Sequence, residues 1–279
     1  MNSSKDQAVE DITLLELEHP GANDPAYRRR RAAIAAHAAT FRSTGEIADV
    51  EYSPEETETW RTAVSRLQEI HAAKASGRYL RAAKNLSITP ERIPQLSELN
   101  AQLAAAGGFR LAPVEGLIDG KTFLSKLANG TMLCTQYIRH ASRPEYTPEP
   151  DVIHELVGHA PTFTDPDFAA MTRLIGRAAD SAEGDALEAI KRLYWFTVEF
   201  GLIREQGEIK AFGAGLLSSF GELGHCFTSE VERREFTAAD AAAPDFDYSA
   251  MQPTLFVIPS FAALRRSVDG FVRGLGIDA

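Results

Sequence analysis

The chain has 279 residues, 44% hydrophobic and 24% charged, with 20 glycines and 14 prolines, a globular composition without the bias of disordered or collagen-like chains. Acidic residues number 39 against 29 basic, a net charge of −10, which argues against a general nucleic-acid binder, whose affinity rests on Lys and Arg neutralising phosphates. No run approaches the ~18 apolar residues of a membrane span, residues 1–13 lack the apolar core of a secretory signal, and two cysteines make no disulfide framework, so a cytoplasmic protein with no membrane partner is expected.

In chain order, Asp24-Pro25 opens a basic, alanine-rich stretch whose four arginines, Arg28 to Arg31, lie between acidic flanks and read as a solvated helix face. Ser53, Pro54 and Glu56 form a capping-box signature, and Trp60, Val64, Leu67 and Ile70 follow as one apolar stripe, with Gly77 as the expected stop. Further helices are predicted over 78–86 and 97–106. A mixed region covers 109–135, and the three prolines of 143–150 require an extended loop. Asp165-Pro166 opens another helix, and a long one is predicted over about 183–203. Ile209 to Phe212 and Leu255 to Ile258 are short strand candidates. No repeat or long linker divides the chain. The reading is one domain, mainly α with a few short β-strands.

The chemistry concentrates in PDVIHELVGHAPTFTDPDF (150–168), where His154 and His159 flank Glu155. The spacing is five, not the four of the zinc-protease pattern H-E-x-x-H. On an ideal α-helix five residues turn the second side chain about 140° from the first, against about 40° for four. A straight helix therefore does not aim both rings at one ion, unless Gly158 loosens the turn before His159. The pair can be a metal pair or structural. Glu199 stands inside the apolar run LYWFTVEFGLI (193–203), where an unpaired carboxylate is costly to bury. It can point to solvent, pair with Arg204, or join the two histidines in the facial triad of non-haem iron(II) oxygenases, with Glu155, Asp165 and Glu222 as competing carboxylates. In GAGLLSSFGEL (213–223) the glycines and serines suit either backbone approach to a ligand or close helix packing. Arg139, just before the proline loop, can bind a carboxylate through two parallel bonds or form a surface ion pair.

Together these segments resemble the pterin-dependent aromatic amino acid hydroxylases, the family of phenylalanine, tyrosine and tryptophan hydroxylases. CTQYIRHASRPEYTPEPDVIHELVGH (134–159) is similar to the family's central signature, and YWFTVEFGLI (194–203) and GAGLLSSFGEL (213–223) are two further blocks in the expected order. Weaker likeness begins near residue 19 and reaches FVIPSF (256–261). The resemblance implies the family's catalytic-domain fold over 19–279, with 1–18 a flexible tail. It implies iron(II) on His154, His159 and Glu199. It places an aromatic amino acid against Arg139, Thr147, Pro150, Trp195 and Ser218. It places a tetrahydropterin, such as tetrahydrobiopterin, against Gly116, Leu117, Ile118, Phe123 and Tyr194, with Glu155 a catalytic carboxylate near pterin and iron. Iron, reduced pterin and O2 would together hydroxylate the aromatic ring. The expected activity is that of a phenylalanine 4-monooxygenase, L-phenylalanine to L-tyrosine. Hydroxylation at another ring position, or of tyrosine or tryptophan, is the alternative, and a zinc hydrolase using His154, His159 and Glu155 a more distant one. Leu133 and Gly120 depart from animal family members, which often carry histidine and serine at these pterin-side positions. The short ends lead to the expectation of a bacterial-type monomer.

Overall fold

The computed structural model describes residue 15, residues 19–106 and residues 108–277. The tail expected over 1–18 lies outside the described residues, Leu15 apart.

Helices α1 (Pro25–Ala35) and α2 (His37–Thr44) lead into the long α3 (Pro54–Lys74). The capping box of α3 is formed: Glu56 N–H donates to Ser53 Oγ at 3.2 Å, and Ser53 N–H to Glu56 Oε2 at 2.7 Å. Trp60, Val64 and Leu67 are buried as one stripe in the main core. Gly77 does not stop this helix. The chain leaves it at Ala75 in an extended conformation, and Ser76 caps a new helix, α4 (Gly77–Ala83). The arginine run is likewise not uniformly solvated. Arg28 and Arg29 are exposed, but Arg31 is buried against Glu149, donates to the Tyr137 hydroxyl at 3.0 Å, and lies over the Tyr137 ring. It docks α1 onto the proline loop.

After α5 (Leu96–Ala106), β1 (Arg110–Pro113) pairs in parallel with β2 (Thr131–Cys134), joined by a loop and α6 (Gly120–Ala128). Residues 154–164 form a π-helical turn (His154–His159) running into a 3-10 turn (Ala160–Thr164), then α7 (Pro166–Ser181), capped by Asp165. The long helix expected over 183–203 is shorter: α8 (Gly184–Tyr194) widens into a second π turn (Trp195–Glu199) and stops before β3 (Leu202–Glu205). β3 returns through Gln206 and Gly207, both at positive φ (53° and 84°), into β4 (Glu208–Ala211). Both central residues in that conformation make a tight hairpin turn, and glycine takes it without strain. Short helices α9 (Ala214–Leu217) and α10 (Phe220–His225) follow. Then come β5 (Glu232–Glu235), α11 (Ala238–Ala241), β6 (Thr254–Ile258) and α12 (Phe261–Gly274). The four-stranded sheet runs β4-β3-β6-β5, with only β3/β4 antiparallel. Helices dominate, with a few short strands, as expected. No helix among the described residues is long and apolar enough to cross a membrane.

His71, near the end of α3, is buried, and its Nε2–H donates to the Leu217 carbonyl at 2.8 Å, fastening α3 to α9. Burial pushes the imidazole from 6.5 down to about 4. The unfolded chain therefore takes up a proton here below pH 6.5 that the folded chain refuses until about pH 4. Stability is fully present above pH 6.5 and falls with acidification, by at most about 3 kcal/mol from this group. Urea titrations between pH 7 and 4 are expected to show this loss, and His71→Gln, which keeps a donor to Leu217, to flatten it. An identical slope in the variant would remove His71 from the account.

Candidate metal centre

The two π turns explain how histidines five apart share one face. A π turn bonds residue i to i+5, and here Ala160 N–H donates to the Glu155 carbonyl and Phe200 N–H to the Trp195 carbonyl at 2.9 Å. Such wide turns are rare outside functional sites, and the first of these is braced from the side. The Tyr79 hydroxyl donates to the Val157 carbonyl at 2.7 Å, and the Thr162 hydroxyl to the His159 carbonyl at 2.6 Å. Gly158 does not act by loosening a helix. A β-carbon there would stand 2.6 Å from the Ala214 carbonyl oxygen, so glycine lets α9 lie directly on the turn.

The result is a convergence of three donors. His154 Nε2 and His159 Nε2 are 3.0 Å apart, and Glu199 reaches His159 Nε2 at 3.1 Å and His154 Nε2 at 3.5 Å. Adjacent donors about 2.1 Å from one ion at right angles stand about 3 Å apart, so these edges suit three ligands on one octahedral face. Two ring nitrogens at this distance need a proton or a cation between them. The Ser218 hydroxyl donates to the Gly215 carbonyl at 3.3 Å and so accepts from His154 Nδ1, at 3.1 Å, which leaves the His154 Nε2 lone pair facing the centre. Burial alone would raise the Glu199 carboxyl, but the facing His159 and His154 hold it down at about 2. Burial, with His159 alongside, pushes His154 down to about 4. Both groups are thus kept in the form that ligates a metal.

Glu155 is the rival carboxylate, with an oxygen within 4.8 Å of both imidazoles. The shorter contacts of Glu199 decide for Glu199, since Glu155 Oε1 already accepts from Thr135 N–H and Oγ1, both at 3.1 Å. Glu155 Oε2 is buried with no hydrogen-bond partner among the described residues, and burial lifts the carboxyl to about 8 against the pull of His159. Glu199 neither points to solvent nor pairs with Arg204: it is buried, and Arg204 pairs with Glu235.

The donors border a cavity of about 530 Å³. His159, fully buried, stands behind its wall; the other residues that the resemblance assigns to metal, amino acid or pterin all line it, while Asp165 lies elsewhere, paired with Arg78. The β1–α6–β2 unit contributes Gly116, Leu117, Ile118 and Phe123, with Glu155 and Tyr194 alongside and the Tyr194 ring edge-on to Phe123 at 5.9 Å. Leu133 and Gly120 line it too, and a β-carbon at 120 would meet Lys191 Cε at 3.0 Å. Arg139, Thr147, Pro150, Trp195 and Ser218 line the cavity from the proline loop, the second π turn and the end of α9.

Arg139 differs in detail from the sequence expectation. Its parallel bonds go to Asp151, Nε to Oδ2 and Nη2 to Oδ1, both 2.8 Å, while Nη2 also donates to the Ser218 carbonyl at 3.1 Å and Nη1 to the Pro144 carbonyl at 3.3 Å. Of its five N–H donors one on Nη1 is left for a ligand. Asp151, Phe246 and Thr135 escaped the sequence reading, because their neighbours are set by tertiary approach and no local spacing marks them.

Comparison with known proteins gives this arrangement a context. The family model described as biopterin-dependent aromatic amino acid hydroxylase matches residues 2–277. Human tyrosine 3-monooxygenase is 44% identical over 252 residues, 89% of this chain and 48% of the human protein. Phenylalanine-4-hydroxylase of Dictyostelium discoideum is 39% identical over 271 residues, 94% of this chain and 62% of that one. The chain thus spans about half to three fifths of the length of these relatives. The crystal structure of Chromobacterium violaceum phenylalanine hydroxylase with bound iron(III) and 7,8-dihydrobiopterin superimposes with a TM-score of 0.75 at 33% identity, covering 82% of this chain and 84% of that one. Phenylalanine hydroxylase from Legionella pneumophila gives 0.75 at 31% identity, over 81% and 93%. With its model matched over nearly the whole length, the chain belongs to the biopterin-dependent aromatic amino acid hydroxylases.

Proposed function

We propose that the protein hydroxylates the ring of an aromatic amino acid with O2, using iron(II) and a reduced pterin, and that its substrate is L-phenylalanine and its product L-tyrosine. The observation that carries this reading is the two-histidine, one-carboxylate convergence at the wall of a cavity large enough for an amino acid and a pterin together. Such a donor set leaves coordination positions open for oxygen.

His154, His159 and Glu199 would hold the iron, and the β1–α6–β2 wall with Glu155 and Tyr194 would hold the pterin. The unpartnered Glu155 Oε2 suits a ring N–H of that cofactor. When bound, iron and reduced pterin supply the electrons that activate O2 for attack on the aromatic ring. The protein's part is placement. Ser218 orients His154, Asp151 holds Arg139 rigid toward the substrate carboxylate, and Trp195, stacked on Phe246 at 4.2 Å, makes an apolar wall with Pro150. Holding the reacting groups in one geometry accounts for a large share of the barrier such sites remove.

Phenylalanine is favoured over tyrosine by the aromatic wall. The indole N–H of Trp195 is already taken by Gln252 Oε1 at 3.1 Å, so a ring hydroxyl placed against it finds no partner there. Incubation with iron(II), tetrahydrobiopterin, O2 and each aromatic amino acid, followed by product identification, is expected to give tyrosine from phenylalanine as the main product. Dihydroxyphenylalanine from tyrosine, or 3-hydroxyphenylalanine as the main product, would overturn the substrate or the ring position while leaving the chemistry in place.

A further inference from the structure

The carboxylates lining the cavity are not equivalent. Glu149 is paired with Arg31, Glu155 accepts from Thr135, and Glu199 faces two imidazoles. Glu222, in the first turn of α10, lines the same cavity and is only 3% exposed, yet has no cationic or histidine partner among the described residues. Its Oε1 accepts from Gln252 N–H at 3.0 Å, and its Oε2 takes no hydrogen bond from the described residues. A buried carboxylate without a counter-charge is costly, and burial accordingly lifts this carboxyl to about 7. The location is specific. Glu222 N–H is capped by Ser219 Oγ at 3.1 Å, and the adjoining Ser218 carbonyl is held by Arg139 at 3.1 Å. An amino acid bears its carboxylate and its ammonium on the same carbon, so an acceptor for the second must stand close to the anchor of the first.

We propose that Glu222 is the acceptor for the α-ammonium of the substrate, its free Oε2 completing with Arg139 a two-point grip on the zwitterion. The proposal rests on the aromatic amino acid reading above and adds the residue that selects an amino acid over a simple aryl acid. The arriving ammonium is the counter-charge that the buried carboxylate otherwise lacks. The same residue keeps its bond to Gln252, whose side-chain Oε1 takes the Trp195 indole N–H, so the ammonium site and the aromatic wall share one support.

Calorimetric titration of the iron(II) protein at pH 8, without pterin and without O2, tests this with L-phenylalanine and 3-phenylpropanoate, which lacks the ammonium. Wild type is expected to bind phenylalanine at least about tenfold more tightly, the worth of one charge-assisted bond. Glu222→Gln keeps an oxygen for Gln252 N–H. It is expected to lose about tenfold for phenylalanine and nothing for 3-phenylpropanoate, so that the preference collapses. In turnover, KM for phenylalanine should rise with kcat little changed. Equal binding of the two ligands by wild type would overturn the proposal without recourse to any variant. So would a Glu222→Gln protein that weakens both ligands alike, or weakens only tyrosine, which would make Glu222 a partner of a ring hydroxyl. A wild-type protein that binds no aromatic amino acid at all would overturn the functional reading, and this proposal with it.

Discussion

Alanine in place of His159 or Glu199 is expected to abolish stoichiometric iron binding and lower hydroxylation by roughly three orders of magnitude or more, the scale of several kcal/mol that a metal contributes at a reacting oxygen. Charge matters here as much as coordination. His159 is fully buried with its Nε2 on Glu199 at 3.1 Å, and no other side chain among the described residues brings a third donor as close to both imidazoles. Glu155 is the nearest substitute, but it would have to give up both Thr135 bonds to move in. Circular dichroism should show the helical content retained, because the first π turn is braced by Tyr79 and Thr162 and not by the ligands alone. Iron analysis and product formation decide the matter; full activity with one iron per chain in either variant would sink the assignment.

Loss of Asp151 should damage stability more than any other single polar change at the cavity. The Arg139–Asp151 pair has side chains 1% and 2% exposed. Burial would raise the Asp151 carboxyl, yet the Arg139 charge and the bonds it accepts hold it below the ordinary value. Asp151 also accepts from Arg139 N–H at 2.8 Å and from His154 N–H at 3.0 Å, so one carboxylate holds both Arg139 and the start of the first π turn. Asp151→Ala leaves a buried guanidinium without its counter-charge, a change that costs about 3–5 kcal/mol. Urea denaturation should show that loss at neutral pH, with Asp151→Asn, which keeps the shape and one acceptor, losing less. A variant within about 0.5 kcal/mol of wild type, the range of ordinary surface substitutions, would mean that the pair contributes nothing to folding.

Local rules carried the outline of the fold. Ser53 and Glu56 cap α3, Asp165 caps α7, and the strands at 208–211 and 254–258 fall within a residue of where β-branched and aromatic runs placed them. The π turns were not legible. A six-residue segment has too little length to display a period, and an α-helical reading of the five-residue spacing at His154 and His159 sends the rings apart. What resolves the conflict is a different helix, stabilised by Tyr79 from α4 and by the close approach of α9 at Gly158. Arg31 defies a local reading for a related reason. Arg28 and Arg29 just before it are exposed, but its partner Glu149 is 118 residues away, and no pattern along the chain announces that meeting. Glu199 stood out as a lone carboxylate in an apolar run, yet whether it faced solvent, Arg204 or the histidines depended on where α8 widened.

The two π turns also set what kind of sequence change the centre tolerates. Side chains around it can be exchanged one at a time, each at its own local cost. A deletion is different in kind. Each turn carries one residue more than an α-helix joining the same ends. Removing that residue restores the ordinary i→i+4 ladder and moves the backbone carbonyls that Tyr79 and Thr162 hold in the first turn. One codon lost between His154 and His159 would keep the helix and both imidazoles, and would even recreate the four-residue spacing of a zinc site. Lineages descended from such a chain are therefore expected to keep the residue count between the two histidines.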